Sequence, residues 1–486
     1  METLSNFING RAVPPRGGGY LDNVEPATGR VYSRVPDSGS GDVDDAVGAA
    51  RAAFPAWSGM SADARSRILF RVAELIERDL GRLARAESID TGKPIALARS
   101  VDIPRSAANF RFFAAACTQG ASEFHELSAE VMSYTLRRPR GVAGLISPWN
   151  LPLYLLTWKI APAIASGNTC VCKPSEVTPM TAFLLGEILN EAGVPAGVVN
   201  IVHGSGPGAG SPLVMHEDVP AVSFTGSTAV GKWIAEYAGP KFKRLSLELG
   251  GKNPFVIFDD AELEGEDGAI ATAARAAFTN QGQICLCGSR LLVQRGVFER
   301  VLAGLVERAR GLKIGDPLDE GTQFGALTSR PHLEKVRSYA KLARELGGKV
   351  HCGGDVVDPA KLPERCRGGL FFEPTVISGL ERGCRVEQEE IFGPVVSVQA
   401  FEDEAKAMEL ANCTPYGLAA SIWTRDASRL HRAAAAVNAG IVWANCWMVR
   451  DLRTPFGGMK QSGVGREGGQ EAMKFFTEPK AVTVRV

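Results

Sequence analysis

Apolar residues recur every three or four positions in two early segments of the chain. The spacing runs through residues 43–54 and 62–87, where Arg and Glu fill many of the positions between. This period is typical of an amphipathic helix with one buried face. The first hundred residues are therefore predicted to be mainly helical.

The pattern changes at Gly141, where short apolar runs closed by turn residues begin to alternate with helical stretches. The runs cover residues 142–146, 169–172, 198–202, 255–258, 290–294, 395–401 and 441–444, and the helical stretches include 181–192 and two that end near residues 278 and 310. Strands that alternate with helices predict parallel sheets buried on both faces. We therefore predict an α/β fold of two domains, with a junction near Leu249-Gly250-Gly251. Residues 130–138 and 481–486 fit neither series and are predicted to be edge strands, which are a common route to oligomers.

Length and charge exclude several classes of protein. The chain has 486 residues, long enough for a core that needs no disulfide or metal staple. Its 54 Lys and Arg balance 54 Asp and Glu, so neither a nucleic acid nor an anionic membrane is expected as a partner. No secretory signal and no apolar stretch of about 18 residues is visible. We expect a cytoplasmic protein whose ten cysteines are reduced and mostly packed as small core residues.

One cysteine stands apart from this expectation. Cys285 lies in the segment Asn280-Gln281-Gly282-Gln283-Ile284-Cys285, just before a predicted strand. A thiol flanked by Gly and small or polar residues can be exposed at a domain seam, where it could act as a nucleophile. The alternative is a structural cysteine.

A single carboxylate occupies the predicted domain junction. Glu248 precedes Leu249-Gly250-Gly251-Lys252 in an apolar turn. Desolvation there would raise its pKa and suit it to act as a general base for water. The alternative is a Glu that caps a helix or pairs with Lys252.

Two further segments are candidates for nucleotide binding. Phe224-Thr225-Gly226-Ser227 follows an apolar run and opens a helical stretch, so its backbone N–H groups could face an anion. Lys173-Pro174-Ser175-Glu176 ends a strand, where a carboxylate suits the two hydroxyls of a ribose. The alternatives are an ordinary glycine turn and a solvated ion pair.

Metal and hydrolase sites are not predicted. The six histidines form no zinc-site spacing, the Cys-x-Cys pairs are one residue short of Cys-x-x-Cys, and no Gly-x-Ser-x-Gly elbow occurs.

Taken in order, these short motifs resemble the NAD(P)-dependent aldehyde dehydrogenase superfamily. The matching strings are Ser147-Pro148-Trp149-Asn150, Lys173-Pro174-Ser175-Glu176, Phe224-Thr225-Gly226-Ser227, Glu248-Leu249-Gly250-Gly251-Lys252, Gly282-Gln283-Ile284-Cys285, Glu390-Ile391-Phe392-Gly393-Pro394 and Pro455-Phe456-Gly457-Gly458. They extend over nearly the whole chain, which leaves little room for chance.

The resemblance implies three catalytic residues and NAD as cofactor. Cys285 would attack the aldehyde, the Asn150 amide with the Cys285 backbone N–H would hold the oxyanion, and Glu248 would activate water. The residues implied to bind the cofactor are Ser147, Pro148, Trp149, Lys173, Ser175, Glu176, Gly226, Ser227, Val230, Leu249, Glu390 and Phe392. Lys173 and Glu176 would bind the adenosine ribose, and because the carboxylate of Glu176 would repel a 2′-phosphate, NAD is preferred over NADP.

The resemblance also implies a fold and an assembly. A Rossmann-like cofactor domain would comprise residues 1–129 and 139–249, an α/β catalytic domain 250–445, and a small β bridging element 130–138 and 470–486. The bridging element predicts a homodimer or homotetramer. Glu248 and Cys285 are 37 positions apart, slightly more than is usual in the family, and we assign the surplus to an acidic loop at residues 259–268.

Longer strings narrow the substrate. Residues 102–110, 147–159 and 443–453 resemble the 2-aminomuconate and 2-hydroxymuconate semialdehyde dehydrogenases, whose substrates carry a carboxylate at the end opposite the aldehyde. The resemblance implies that Arg105 and Arg450 hold this carboxylate by charge-assisted hydrogen bonds. The substrate-binding residues implied in this way are Arg105, Arg450, Arg453, Asn109 and Trp158. The alternatives are a helix-surface charge for Arg105 and, for Arg450 or Arg453, a salt bridge to Asp451.

The predicted reaction is oxidation of 2-aminomuconate 6-semialdehyde to 2-aminomuconate, in tryptophan (kynurenine) or 2-aminophenol breakdown. The alternatives are the 2-hydroxy analogue of catechol meta-cleavage, a broader range of aldehydes, and transfer of the acyl group to CoA. A non-catalytic relative that serves as a structural or binding protein would be expected to lack Cys285, Glu248 or Asn150, and all three are present.

Overall fold

Residues 1–486 are all described by the structure, a computed structural model. The strands are β1 (Glu2–Thr3), β2 (Asn6–Ile8), β3 (Arg11–Val13), β4 (Tyr20–Glu25), β5 (Arg30–Pro36), β6 (Phe124–Ser128), β7 (Val131–Pro139), β8 (Val142–Ile146), β9 (Thr169–Lys173), β10 (Val199–Ile201), β11 (Ala221–Thr225), β12 (Arg244–Glu248), β13 (Pro254–Ile257), β14 (Arg290–Gln294), β15 (Lys349–Cys352), β16 (Thr375–Ser378), β17 (Val395–Phe401), β18 (Tyr416–Gly417), β19 (Ala419–Trp423), β20 (Ile441–Ala444), β21 (Met459–Lys460), β22 (Gly463–Val464) and β23 (Thr477–Arg485).

The α-helices surround these strands. They are α1 (Ser40–Gly59), α2 (Ala62–Arg78), α3 (Leu80–Thr91), α4 (Ile95–Leu97), α5 (Ile103–Ala116), α6 (Pro152–Ala165), α7 (Met180–Glu191), α8 (Ser211–Met215), α9 (Thr228–Ala238), α10 (Ala269–Phe278), α11 (Phe298–Arg310), α12 (Arg330–Glu345), α13 (Arg385–Gln388), α14 (Glu404–Asn412), α15 (Ala427–Ala436) and α16 (Gly469–Phe475). No helix is both long and apolar enough to cross a membrane.

The first large sheet has eight strands in the order β22-β12-β11-β8-β9-β10-β2-β3. Its five central strands, β12 to β10 in that order, are parallel, whereas β22, β2 and β3 pair antiparallel at the edges. Alternate residues of β8 enter two different cores: Val142 and Ile146 pack with α1, and Ala143 and Leu145 pack with α6. The sheet is therefore buried on both faces, as the apolar runs predict.

The second large sheet has seven strands in the order β15-β16-β17-β14-β13-β19-β20. All of its pairs are parallel except β15 with β16. The first sheet's β12 ends at Glu248 and the second begins with β13 at Pro254, so the chain passes between them at the predicted junction. The α/β class is confirmed, and the exact domain boundaries stay a prediction.

The predicted helical character of the first hundred residues is wrong for the first 36. Five short strands, β1 to β5, precede α1. β2 pairs with β10 at the edge of the eight-stranded sheet, and β1 pairs with β5. β1 to β3 have only two or three residues, too few to show a period, and their tertiary pairing stabilises them. β4 and β5 are longer, and they pair with each other in a separate sheet. The helical segment 62–87 is also divided, because α2 ends at Arg78 and α3 begins at Leu80.

The two segments that fitted neither series meet in a three-stranded sheet with the order β23-β7-β6. β7 is the central strand of this sheet, so the prediction that residues 130–138 form an edge was wrong, whereas β23 does lie at an edge. β6 was missed because all five of its residues are exposed and carry no burial pattern. Helix α16, inside the predicted bridging segment, instead packs on α6, and Phe475 and Phe476 join the main core.

Candidate active site

Cys285 lies in an irregular loop between α10 and β14. Three consecutive residues before it have positive φ: Asn280 at 52°, Gln281 at 55° and Gly282 at 70°. A Cβ on Gly282 would lie 2.3 Å from the carbonyl oxygen of Gly393, so only glycine fits there. Backbone strain of this kind persists only when surrounding contacts enforce it. The loop is therefore held in a fixed shape immediately before the thiol.

The thiol of Cys285 is half-buried and has charged neighbours. Burial raises its pKa, the carboxylates of Glu390 and Glu248 raise it further, and the charge of Arg450 lowers it. Its carbonyl oxygen accepts from Asn253 Nδ2 at 2.7 Å. Its backbone N–H takes part in none of the chain's hydrogen bonds and is free to donate to an oxygen next to the sulfur.

Glu248 is the last residue of β12 and is only 3% exposed. Neither of its carboxylate oxygens has a hydrogen-bond partner in the chain. The alternative that it pairs with Lys252 is therefore wrong. Burial raises its pKa well above the usual value, and the nearby carboxylate of Glu467 adds to this effect. An unpaired, desolvated carboxylate close to Cys285 is suited to accept a proton from water.

Asn150 joins the Cys285 loop to the turn before α6. Its Nδ2 donates to the carbonyl oxygen of Gln283 at 2.9 Å, which uses one of its two amide hydrogens. The backbone carbonyl oxygen of Asn150 accepts from Lys93 Nζ at 3.0 Å and from Asn280 Nδ2 at 3.1 Å. Lys93 is wholly buried and also binds Asp102 Oδ2 at 2.5 Å. The second amide hydrogen of Asn150 is thus held on a rigid support near the thiol.

The Lys173 and Glu176 side chains form an ion pair at the end of β9. Lys173 Nζ lies 2.8 Å from Glu176 Oε2, and Lys173 is buried whereas Glu176 is partly exposed. Ser175 is buried between them, and its hydroxyl accepts from the Val177 backbone. The pair lies at the carboxyl end of a parallel strand, where ligands of such sheets bind.

The glycine loop ends at the N-terminus of α9. Ser227 caps this helix, since its hydroxyl accepts from the Val230 N–H at 3.3 Å, and Val230 itself is exposed. A Cβ on Gly226 would lie 2.4 Å from a phenylalanine ring carbon, and one on Gly231 would lie 2.5 Å from Leu249 Cδ2. The first N–H groups of a helix have no partner within the helix, so this terminus can receive an anion.

Glu390 and Phe392 lie across the cavity that contains Cys285. Glu390 Oε1 accepts from the Gly251 N–H at 2.8 Å, and burial raises the pKa of this carboxyl. Phe392 has φ 64°, its ring lies edge-on to Trp149 at 5.2 Å, and its carbonyl oxygen contacts His332 Nε2 at 2.7 Å. These residues form one wall of the cavity.

Ser147 and Pro148 lie in the turn that leads from β8 to this wall. The Ser147 backbone N–H donates to the Lys173 carbonyl oxygen at 3.2 Å, which ties the turn to β9. Its hydroxyl is buried without a partner. Pro148 is half-buried.

Two arginines meet around one tyrosine. Arg105 comes from α5 and Arg450 from the loop after β20, and both contact Tyr154 on α6. Arg450 Nη1 donates to the Tyr154 hydroxyl at 2.8 Å, and Arg105 Cζ lies 5.7 Å from the centre of the Tyr154 ring. Arg450 also lies over Phe456 at 4.0 Å and near Trp158 at 5.6 Å. Nε and Nη2 of Arg105 are buried without an acceptor.

The structure does not bring Arg453 into this pair. Its guanidinium is 81% exposed and binds Asp451, which is the alternative considered for it from the sequence. Asn109 is fully buried and donates from Nδ2 to the Tyr154 carbonyl oxygen and to Thr157 Oγ1, each at 3.1 Å. Its Nδ2 thus holds α5 to α6, and its Oδ1 is buried without a partner.

A sequence model of the aldehyde dehydrogenase family matches residues 13–482. The chain belongs to this family. It is therefore an aldehyde-oxidising enzyme, and the family resemblance drawn from the short motifs is confirmed.

Two relatives and one solved structure illustrate the match. A protein of Danio rerio named 2-aminomuconic semialdehyde dehydrogenase is 52% identical over 483 residues, covering 99% of this chain and 98% of the relative. The 2-hydroxymuconic semialdehyde dehydrogenase of Pseudomonas sp. (strain CF600) is 48% identical over 492 residues, covering 100% of both. A Bacillus cereus aldehyde dehydrogenase solved as an NAD+ complex has a TM-score of 0.96 at 38% identity, covering 100% of this chain and 97% of that one.

Sequence reasoning missed a buried ion pair behind Glu248 in this aldehyde dehydrogenase. Lys159 Nζ binds Glu467 Oε1 at 2.7 Å and Ser223 Oγ at 2.9 Å. A signal was available, because Lys159 is the only charged residue in the otherwise apolar helix α6. A cation in such a helix needs a partner, since burying an unpaired charge is costly.

The acidic segment 259–268 is confirmed as a loop between β13 and α10. Glu262, Glu264 and Glu266 are exposed and face Arg425, Arg300 and Arg308. The assignment of the surplus residues to this loop stays a prediction.

Proposed function

We propose that this enzyme oxidises 2-aminomuconate 6-semialdehyde to 2-aminomuconate with NAD, through a thiohemiacetal and a thioester on Cys285. The observation that carries the proposal is the pair Arg105 and Arg450, two partly buried guanidinium groups that form no ion pair with a carboxylate of the chain, and Nε and Nη2 of Arg105 are buried without an acceptor. The names of the relatives of Danio rerio and Pseudomonas sp. support the same substrate class.

The chemistry follows from the three groups at the thiol. Cys285 as thiolate adds to the aldehyde carbon, and the oxyanion that forms accepts from Asn150 Nδ2 and from the Cys285 N–H. NAD, when bound, would supply the hydride acceptor for the carbon that is attached to Cys285. Glu248 then takes a proton from water as that water attacks the thioester, which releases the carboxylic acid and the thiolate.

The residues present fit NAD. The Lys173 and Glu176 pair suits the adenosine ribose, the N-terminus of α9 at Ser227 suits the pyrophosphate, and the wall of Glu390 and Phe392 suits the nicotinamide end. The lack of a Cβ at Gly226 leaves no side chain between the helix terminus and an approaching phosphate.

We expect Glu176→Gln to raise the use of NADP. The carboxylate repels a 2′-phosphate, so its removal should raise kcat/KM for NADP relative to that for NAD by roughly tenfold. Steady-state kinetics with both cofactors measures this ratio. Glu187→Gln on α7, which replaces an exposed carboxylate paired with Arg82, should leave the ratio unchanged. An unchanged ratio in Glu176→Gln would remove Glu176 from cofactor selection.

The substrate proposal is tested by removing the two arginines. We expect the double variant Arg105→Ala, Arg450→Ala to lose at least about 100-fold in kcat/KM for the muconic semialdehyde, because charge-assisted hydrogen bonds to a carboxylate are strong. Activity on hexanal, which has no carboxylate, should fall much less, and only because the charge of Arg450 near Cys285 is lost. Arg111→Ala is the matched control, since Arg111 lies on the same helix α5 and pairs with Glu77 at the surface.

The same assay separates the alternatives. If the double variant keeps its activity on the semialdehyde, or if wild type prefers hexanal, the proposed substrate class is wrong. Parallel kinetics on the 2-amino and 2-hydroxy semialdehydes decide between these two substrates. A requirement for added CoA would instead indicate acyl transfer to CoA.

We also propose a homodimer or homotetramer assembled through the sheet β23-β7-β6. This sheet is poorly buried, and Phe124 and Leu127 on β6 are each about 60% exposed. An exposed apolar strand at a sheet edge favours pairing with another copy of the chain. The cytoplasmic location stays a prediction.

A further inference from the structure

We propose that the Tyr154 hydroxyl donates directly to the substrate carboxylate and helps to select aldehydes that carry one. The inference rests on the proposed function, which supplies the carboxylate, and adds to it a residue that the sequence motifs did not single out. Tyr154 lies in the first turn of α6, four residues after Asn150 and one helical turn before Trp158.

Tyr154 is fixed at both ends. Its side chain is 4% exposed, and its carbonyl oxygen accepts from Asn109 Nδ2 at 3.1 Å. Its hydroxyl oxygen accepts from Arg450 Nη1 at 2.8 Å. Since the phenol oxygen is oriented by this bond, its hydroxyl has a restricted set of directions in which to donate.

The donors in this cluster outnumber the acceptors. The Tyr154 O–H donates to no group of the chain, and Arg105 Nε and Nη2 are buried without an acceptor. The nearby carboxylate of Asp451 forms an ion pair with Arg453. Buried donors are normally satisfied in a folded protein, so unpaired donors brought together indicate a ligand rich in acceptors. A carboxylate has about four acceptor positions on its two oxygens and no donor.

Charge points to the same ligand. Burial lowers the pKa of Arg105, Tyr154 and Asp451 partly offset this effect, and the positive charge of Arg450 opposes the ionisation of Arg105 as well. Two cations kept close together in a partly buried site repel each other, and an anion between them offsets this cost. Tyr154 supplies a neutral donor between them without adding a third positive charge.

The hydroxyl can be removed without removing the ring. Tyr154→Phe keeps the aromatic packing under Arg105, but it removes one donor to the ligand and the acceptor that orients Arg450. The test uses two aldehydes of equal chain length, 6-oxohexanoate and hexanal, which differ in the terminal carboxylate. We expect kcat/KM for 6-oxohexanoate to fall about tenfold, mainly through KM, because a hydrogen bond to a charged group is lost. The value for hexanal should stay within about twofold of wild type.

Controls separate a specific role from a structural one. Tyr20→Phe, on β4, should leave both values as in wild type. An equal loss with both aldehydes would show that Tyr154 only supports the fold, and no loss with either would show that the hydroxyl does not contact the carboxylate; both results overturn the inference. Activity of wild type on the muconic semialdehyde is measured separately, so failure of the substrate proposal is distinguished from failure of the role of Tyr154.

Discussion

Replacing Cys285 by alanine should abolish NADH formation, with a loss of at least about 10⁴-fold in kcat. Without the sulfur no covalent adduct forms, and the aldehyde carbon has no route to the tetrahedral species from which hydride leaves. Both the pre-steady-state burst and steady-state turnover should therefore disappear. The measurement is NADH absorbance in rapid-mixing and steady-state experiments with the same aldehyde.

Cys287 provides an internal comparison for this variant. It lies two residues further on and lines the same cavity, but it is buried, whereas Cys285 is partly exposed. An aldehyde reaches the more exposed thiol more readily, so Cys287→Ala should keep most of the turnover. If the burst survives in Cys285→Ala and is lost in Cys287→Ala, the nucleophile is Cys287 and the role proposed for Cys285 is wrong.

Replacing Glu248 by glutamine should separate the two halves of the reaction. Glutamine cannot accept the proton of the attacking water, so the thioester should accumulate and steady-state turnover should fall about 10²- to 10⁴-fold. Acylation does not use this carboxylate, and the burst of NADH should remain. Glu236→Gln, an exposed carboxylate on α9, is the control. Unimpaired turnover in Glu248→Gln would remove Glu248 from the role of base.

The pH profile gives a second measurement on the same variant. Burial first, and the charge of Glu467 next, raise the pKa of Glu248. The base must be ionised to act, so thioester hydrolysis should be slow at acidic pH and should rise as pH increases through this raised pKa. In Glu248→Gln the rise in hydrolysis should be lost, whereas the burst rate should still increase with pH because Cys285 must ionise.

The strands that position the cofactor could be predicted because their sequence pattern is local. Residues 142–146 are apolar throughout, as expected for a strand with a core on each face. β1 to β3 could not be found in the same way, since two or three residues carry no period and their stability comes from partners far away in the chain. The edge β22 is another case, because residues 463 and 464 pair with β12, more than 200 positions earlier.

The residues of the candidate site, like the strands, could be predicted only in part from the sequence. Cys285, Glu248 and Asn150 could be named from motifs, and the structure brings them close together. Arg453 could not be separated from Arg450 in the sequence, because the two lie three positions apart and only the fold shows that one binds Asp451 at the surface. Tyr154 lies within an apolar string. Nothing in the sequence indicates that its hydroxyl contacts Arg450, which lies far later in the chain.

The segment that follows β20 has a consequence for how such enzymes diversify. Within about twenty residues it contains Arg450 of the proposed carboxylate site and Phe456, whose ring lies under that guanidinium. It also contains Gly457, where a Cβ would lie 2.6 Å from Oε1 of Glu248. The same segment ends at Glu467, the partner of Lys159. In the proposed mechanism, recognition of the substrate carboxylate and activation of water therefore both depend on this one segment. A graft of the segment between family members should alter both properties together, although Arg105 and Glu248 lie on other elements, α5 and β12.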